Sequence, residues 1–169
     1  MQCYKCSKPG LGKAPVCEDH LLEYVTERVR KLRDTLFSPK SPKEAAEGIV
    51  SFARNERREM FAVGWPFVLA LLYILENDSD PLMRAAAASC LPGDHEIRDQ
   101  DLKWLIVARL IFAFDREVTE YGDNEFVEWA ILQAMSQHKG CYQAIEEISE
   151  NARRKRIRKA AKQILKEHR

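Results

Sequence analysis

From about Asp19 onward the apolar residues return every three or four positions and never settle into alternation, a pattern that predicts helices and a mostly α fold. Leu21, Leu22, Val25, Val29 and Leu32 fall on one face of a helix expected to reach about Phe37. Ser41, Pro42 and Glu44 then stand in capping-box order and open a second helix, AAEGIVSFARNERREMFAV, which Gly64-Trp65-Pro66 should break or kink before FVLALLYILEN continues. Met60 to Leu75 carries no charge, yet it falls short of the roughly 20 apolar residues that span a bilayer and is interrupted by Gly64 and Pro66. It therefore reads as a central core helix. Asp80-Pro81 opens LMRAAAASCL, which Pro92-Gly93 ends, and DQDLKWLIVARLIFAFDREV follows as a long helix. Arg109 interrupts the apolar middle of that helix, which predicts an ion pair with a neighbouring helix in preference to a ligand contact. Asp123 or Asn124 caps NEFVEWAILQAMSQHK, with Gly140 as its stop; CYQAIEEISEN and a basic terminal segment complete the series.

The chain also echoes itself. Met83-Arg84-Ala85-Ala86-Ala87 and Ile157-Arg158-Lys159-Ala160-Ala161 lie 74 residues apart, and each runs on to a leucine at the same offset, Leu91 and Leu165. That spacing is two repeats of about 37 residues, near the range of helical-hairpin solenoids. Asp80, Arg84, Ala87 and Leu91 resemble the second helix of a HEAT repeat, and the resemblance implies stacked hairpins with a concave binding face and no inherent catalysis. The alternative is an irregular helical bundle in which the alanines only allow close helix contact.

Ahead of the helices, CYKCSKPGLGKAPVCEDH places Cys3, Cys6, Cys17 and His20 as CxxC and CxxH separated by ten residues. This is the spacing of a structural zinc site: each pair can aim two side chains at one ion, and four protein ligands leave no position for water or substrate. Pro9, Gly10, Gly12 and Pro15 suit the intervening loop to turns. A redox CxxC would follow a strand and open a helix, which this one does not. CYKC followed by CEDHLLEYVTERVRKLRD resembles the N-terminal finger and helix of tRNA-thiolating PP-loop enzymes. The resemblance implies zinc ligation by Cys3, Cys6, Cys17 and His20 and a setting among RNA-related proteins. The SGGxDS phosphate loop of that family does not occur in the sequence, so thiolation is not implied.

Charge divides the chain. Residues 44–150 hold nine Lys/Arg against twenty Asp/Glu, whereas residues 151–169 hold nine against one, so a formal net charge of +1 conceals an acidic body with basic ends. NARRKRIRKAAKQILKEHR predicts an amphipathic helix docked through Ile157, Ala160, Ala161, Ile164 and Leu165. Arg153, Arg154, Lys155, Arg158 and Lys162 on its other faces are candidate contacts to a nucleic-acid backbone. No aromatic residue interleaves them, and an alanine-heavy stripe without Trp or Phe is poorly suited to a membrane surface.

No GxSxG, HExxH, Walker or dinucleotide motif occurs. Trp104, Asp115, Tyr121 and Trp129 invite comparison with DNA glycosylases that resemble HEAT arrays, but helix-spaced aromatics are expected in the core. His95 and His138 read as surface histidines, and Cys90 and Cys141 as buried thiols. With 46% apolar and 31% charged residues and few Gly or Pro, 169 residues suit a zinc knuckle over 1–20 and a helical domain over 21–169. No charged segment followed by an apolar run opens the chain, which predicts no secretory signal and a cytoplasmic protein. The expected function is that of a non-enzymatic adaptor with one structural Zn2+, binding a protein or nucleic-acid partner, with no membrane and no small-molecule substrate. The alternative is a nucleic-acid-binding accessory factor.

Overall fold

A computed structural model describes residues 2–12, 14–37, 64–121 and 124–168. Seven α-helices and no strand are found among them: α1 (Glu18–Phe37), α2 (Trp65–Asn77), α3 (Pro81–Cys90), α4 (Gln100–Arg116), α5 (Glu125–Ser136), α6 (Tyr142–Asn151) and α7 (Lys155–Glu167). The capping box at Ser41–Glu44 and the helix it should open lie outside the described residues. Two compact units divide the chain, Met1–Cys90 and Leu91–Arg169.

In the first unit α1 packs on both α2 and α3, which pack on each other. Gly64 takes φ of 74°, a left-handed value that glycine adopts without strain, and Pro66 sits in the first turn of α2, where its missing N–H costs nothing. The result is the predicted break followed by a core helix, with Phe67, Val68, Leu71, Leu72, Ile74 and Leu75 buried. On α1, Leu21, Tyr24, Val25, Val29 and Leu32 form the buried stripe. Leu22 is 42% exposed, because the 3.6-residue period carries it off that face. No described helix is long and apolar enough to cross a membrane.

In the second unit Asp99 caps α4, its Oδ1 accepting from the N–H groups of Asp101 and Leu102 at 2.9 and 3.0 Å. Leu102, Ile106, Val107, Leu110, Ala113 and Phe114 make the buried face of α4, and Arg109 lies on the exposed side. Helical phase carries Arg109 to the surface of a helix whose apolar run surrounds it in sequence. After Arg116 the backbone widens into a π turn, Glu117–Tyr121, and Asn124 caps α5 by accepting from Phe126 N–H. Helix α5 stops at Ser136, short of the expected Gly140, which instead belongs to a 3-10 turn, Lys139–Cys141, leading into α6. Helix α7 packs on α6 and α5 and buries Ile157, Ala161 and Ile164.

Matching hydrogen bonds occur 74 residues apart, one set in each unit. Helices α2 and α6 both end on an asparagine, Asn77 and Asn151, and the following N–H groups of Asp78 and Ala152 return to Ile74 and Ile148 carbonyls at 3.0 and 3.1 Å. Arg84 Nη1 then donates to the carbonyls of Asp78 and Ser79, and Arg158 Nη1 donates to those of Ala152 and Arg153. Each arginine thus ties the second helix of its hairpin to the connection that precedes it. The residue before each second helix anchors the hairpin to a third helix, with the charges reversed. Asp80 accepts from Arg33 of α1 at 2.6 Å, whereas Arg154 donates to Glu128 of α5 at 2.9 Å.

Candidate metal centre

The N-terminal loop is folded by its own backbone. Cys3 N–H donates to Lys8 carbonyl at 3.0 Å, Tyr4 N–H to Pro15 at 2.9 Å and Leu11 N–H to Val16 at 2.8 Å. Gly12 turns the chain with φ of 55°, and Ala14 and Val16 are buried beneath the loop. Two salt bridges, Lys5 to Glu23 and Lys8 to Asp19, fasten the loop to the first turns of α1.

These constraints bring the four predicted ligands together. The sulfur atoms of Cys3, Cys6 and Cys17 and a ring nitrogen of His20 all lie within 4.8 Å of one another. His20 Nδ1 is 3.5, 3.7 and 3.2 Å from the sulfurs of Cys3, Cys6 and Cys17, and the Cys6 and Cys17 sulfurs are 3.6 Å apart. The sulfur separation far exceeds the roughly 2.05 Å of a disulfide. Cys17 sits just ahead of α1 and His20 in its first turn, with His20 N–H donating to Cys17 carbonyl at 3.1 Å. The CxxH pair is therefore set by helix initiation and the CxxC pair by the loop.

Electrostatics treat Cys3 and Cys17 differently. Burial opposes ionisation of Cys3, but hydrogen bonds from the backbone of Lys5 and Cys17 and from the Cys17 thiol outweigh it and bring Cys3 down to about 6. Burial and its hydrogen bonds to Cys3 and Cys6 push the Cys17 thiol up. Such a cluster can hold a metal ion, and it is the one group of metal-ligating side chains among the described residues. Comparison with family models, with curated proteins and with solved structures finds no match to this chain.

The cationic residues singled out on the last helix separate into two sets. Arg154 and Arg158 turn inward, to the Glu128 carboxylate and to backbone carbonyls, while Arg153, Lys155 and Lys162 face solvent. Burial raises the Glu128 carboxyl despite the Arg154 guanidinium beside it. Sequence reasoning missed a different polar centre. His138 is 1% exposed, and its Nδ1 is 2.8 Å from Asp94 Oδ1, while Asp94 Oδ2 accepts from Lys139 N–H at 3.0 Å. The pair lies 44 residues apart in the chain, so no local spacing signals it. Trp104 and Trp129, expected in the core, are 59% and 45% exposed, because the buried stripes of α4 and α5 run along their opposite sides.

Proposed function

We propose that Cys3, Cys6, Cys17 and His20 hold one structural Zn2+, and that the protein is a non-enzymatic adaptor built from HEAT-like helical hairpins. The four-fold convergence of ligand atoms carries this reading. Zn–S bonds of about 2.3 Å and Zn–N bonds of about 2.0 Å imply tetrahedral edges of roughly 3.8 Å between sulfurs and 3.5 Å between sulfur and nitrogen. The three sulfur–nitrogen separations and the Cys6–Cys17 sulfur separation, 3.2 to 3.7 Å, cluster around those values, and the other two sulfur pairs lie within 4.8 Å. Three sulfurs and an imidazole suit zinc over hard cations that prefer oxygen, and a filled shell supplies structure in place of catalysis. Thiolate ligands call for a reducing compartment, which makes the cytoplasm the proposed location. The repeated hairpin, with its arginine and its anchoring ion pair, supports an array whose product is a binding surface.

Metal analysis of the purified protein is expected to give about one zinc per chain, with Cys17→Ser lowering that occupancy. A metal-free chain with full helical content and unchanged stability would overturn the reading. A nucleic-acid partner is favoured by the exposed cations of α7, Lys155, Arg156, Lys159, Lys162 and Lys166. Binding through them weakens steeply as salt is raised, and absence of binding to RNA or duplex DNA at low salt removes that partner class.

A further inference from the structure

We propose that a cleft in the second unit binds a nucleoside phosphate group, by stacking a base on Trp104 and holding a phosphate between Lys103 and Lys139. This goes beyond the adaptor reading and uses neither the metal centre nor the cations of α7. The cleft is about 440 Å³ and is lined by Asp94, Gln100, Lys103, Trp104, Lys139 and Gly140, among others. Pockets of roughly 300 to 1,000 Å³ accept ligands of nucleotide size.

Three features give the cleft its chemistry. Trp104 presents an indole that is 59% exposed, one turn into α4. At Gly140 a Cβ atom would come within 3.1 Å of Val107 and 3.5 Å of Trp104 Cζ3, so the absence of a side chain lets the 3-10 turn close against the edge of the indole and restrain it. The second feature is charge. Asp94 is the acid of the lining, and both its oxygens are already engaged, one by the buried His138 ring and one by Lys139 N–H. Lys103 and Lys139 are held in no ion pair among the described residues, and Lys103 acts on Asp94 only through its field, so the cleft presents two ammonium groups beside an aromatic plane. Third, the Gln100 amide offers both a donor and an acceptor to a base edge.

A planar ring joined to an anion uses all three features. Bases stack on exposed aromatics largely without regard to sequence, and lysines bind phosphate as point charges. An acidic peptide would use the lysines and leave the indole idle. A free nucleotide and a single strand of RNA or DNA carry the same chemistry.

The test uses the full chain and a fluorescein-labelled single-stranded oligonucleotide of mixed sequence, with anisotropy measured over a salt series. Trp104→Ala is expected to weaken binding about tenfold, within the range found for removing a stacking partner, and Trp104→Phe to restore most of it. Lys103→Gln and Lys139→Gln should each reduce the slope of log K against log salt by about 0.7. Displacement by AMP with the same Trp104 dependence assigns a free nucleotide; strand binding that AMP does not displace assigns the strand. The proposal is overturned if neither ligand binds, if Trp104→Ala binds as wild type does, or if polyglutamate competes as well as the oligonucleotide. Binding lost in Lys159→Gln with Lys162→Gln but untouched by Trp104→Ala places the strand on α7 and likewise overturns it.

Discussion

Replacing Arg84 by methionine keeps most of the side-chain stem and removes the guanidinium that closes the first hairpin. Arg84 is 2% exposed and donates to two carbonyls, Asp78 at 2.8 Å and Ser79 at 3.3 Å. A hydrogen bond from a charged donor contributes about 1.5–3 kcal/mol, and the longer of the two contacts contributes little. Losing both also relieves the cost of holding a cation away from water, so a net loss of about 1–2 kcal/mol is expected. Because the chain has two compact units, a single unfolding free energy is poorly defined, and hydrogen exchange read peptide by peptide is the sounder assay. Amides of α2 and α3 should lose about 5- to 30-fold in protection under conditions of rapid reclosing, while those of α5 to α7 keep theirs. Arg158→Met, at a half-buried position, should cost about 1 kcal/mol in its own hairpin. Arg153→Met, at an exposed site, is the control and should fall within about 0.5 kcal/mol of wild type. An Arg84→Met effect no larger than the control's would refute the claim that these arginines close the hairpins.

Other outcomes follow from the same contacts. Burial raises the Asp94 carboxyl, but the Lys139 N–H and the His138 ring outweigh it and hold the group below its ordinary 3.8. The stabilisation is therefore complete above that value and is lost as pH falls through the lower folded value. Asp94→Asn should cost about 1–2 kcal/mol near neutral pH and flatten the acid limb of a melting-temperature profile; an unchanged limb argues against the pair. Reversing the first anchor with Arg33→Asp alone should destabilise the first unit by about 1 kcal/mol, and adding Asp80→Arg should recover the ion-pair share as a favourable coupling in a double-mutant cycle. Asp80→Arg also removes the Asp80 Oδ1 that accepts from Leu82 N–H at the start of α3. Stripping metal with a strong chelator should speed amide exchange at Cys3, Tyr4 and Leu11 and leave the second unit's exchange unchanged.

The elements were largely legible because their causes are local. Gly64 and Pro66 set the start of α2, Asn124 accepts at the N-terminus of α5, and the Cys/His spacing brought its four ligand atoms together. Phase was harder to read. On α4 an apolar run wraps around much of the helix, so sequence alone does not say which side is covered; Arg109 and Trp104 proved to lie outside and Val107 inside. Long-range polar pairs were not legible at all. His138 finds Asp94 only because the 3-10 turn after α5 returns the chain to the segment before α4, and no residue spacing encodes that return.

The reversed polarity of the two anchors has a consequence for how the chain avoids misassembly. Two hairpins of similar outline, both carried by one chain, can in principle settle on each other's supporting helix during folding. In that exchange Asp80 would meet Glu128, and Arg154 would meet Arg33, so both wrong pairings set like charges side by side. Only the correct assembly neutralises both. The two ion pairs thus act as an address for each hairpin. The Arg33→Asp and Asp80→Arg double variant, which retains attraction in the first unit, abolishes the distinction and should refold with a lower yield of correctly assembled protein than Asp80→Ala, which loses the same cap on Leu82 N–H without attracting Glu128.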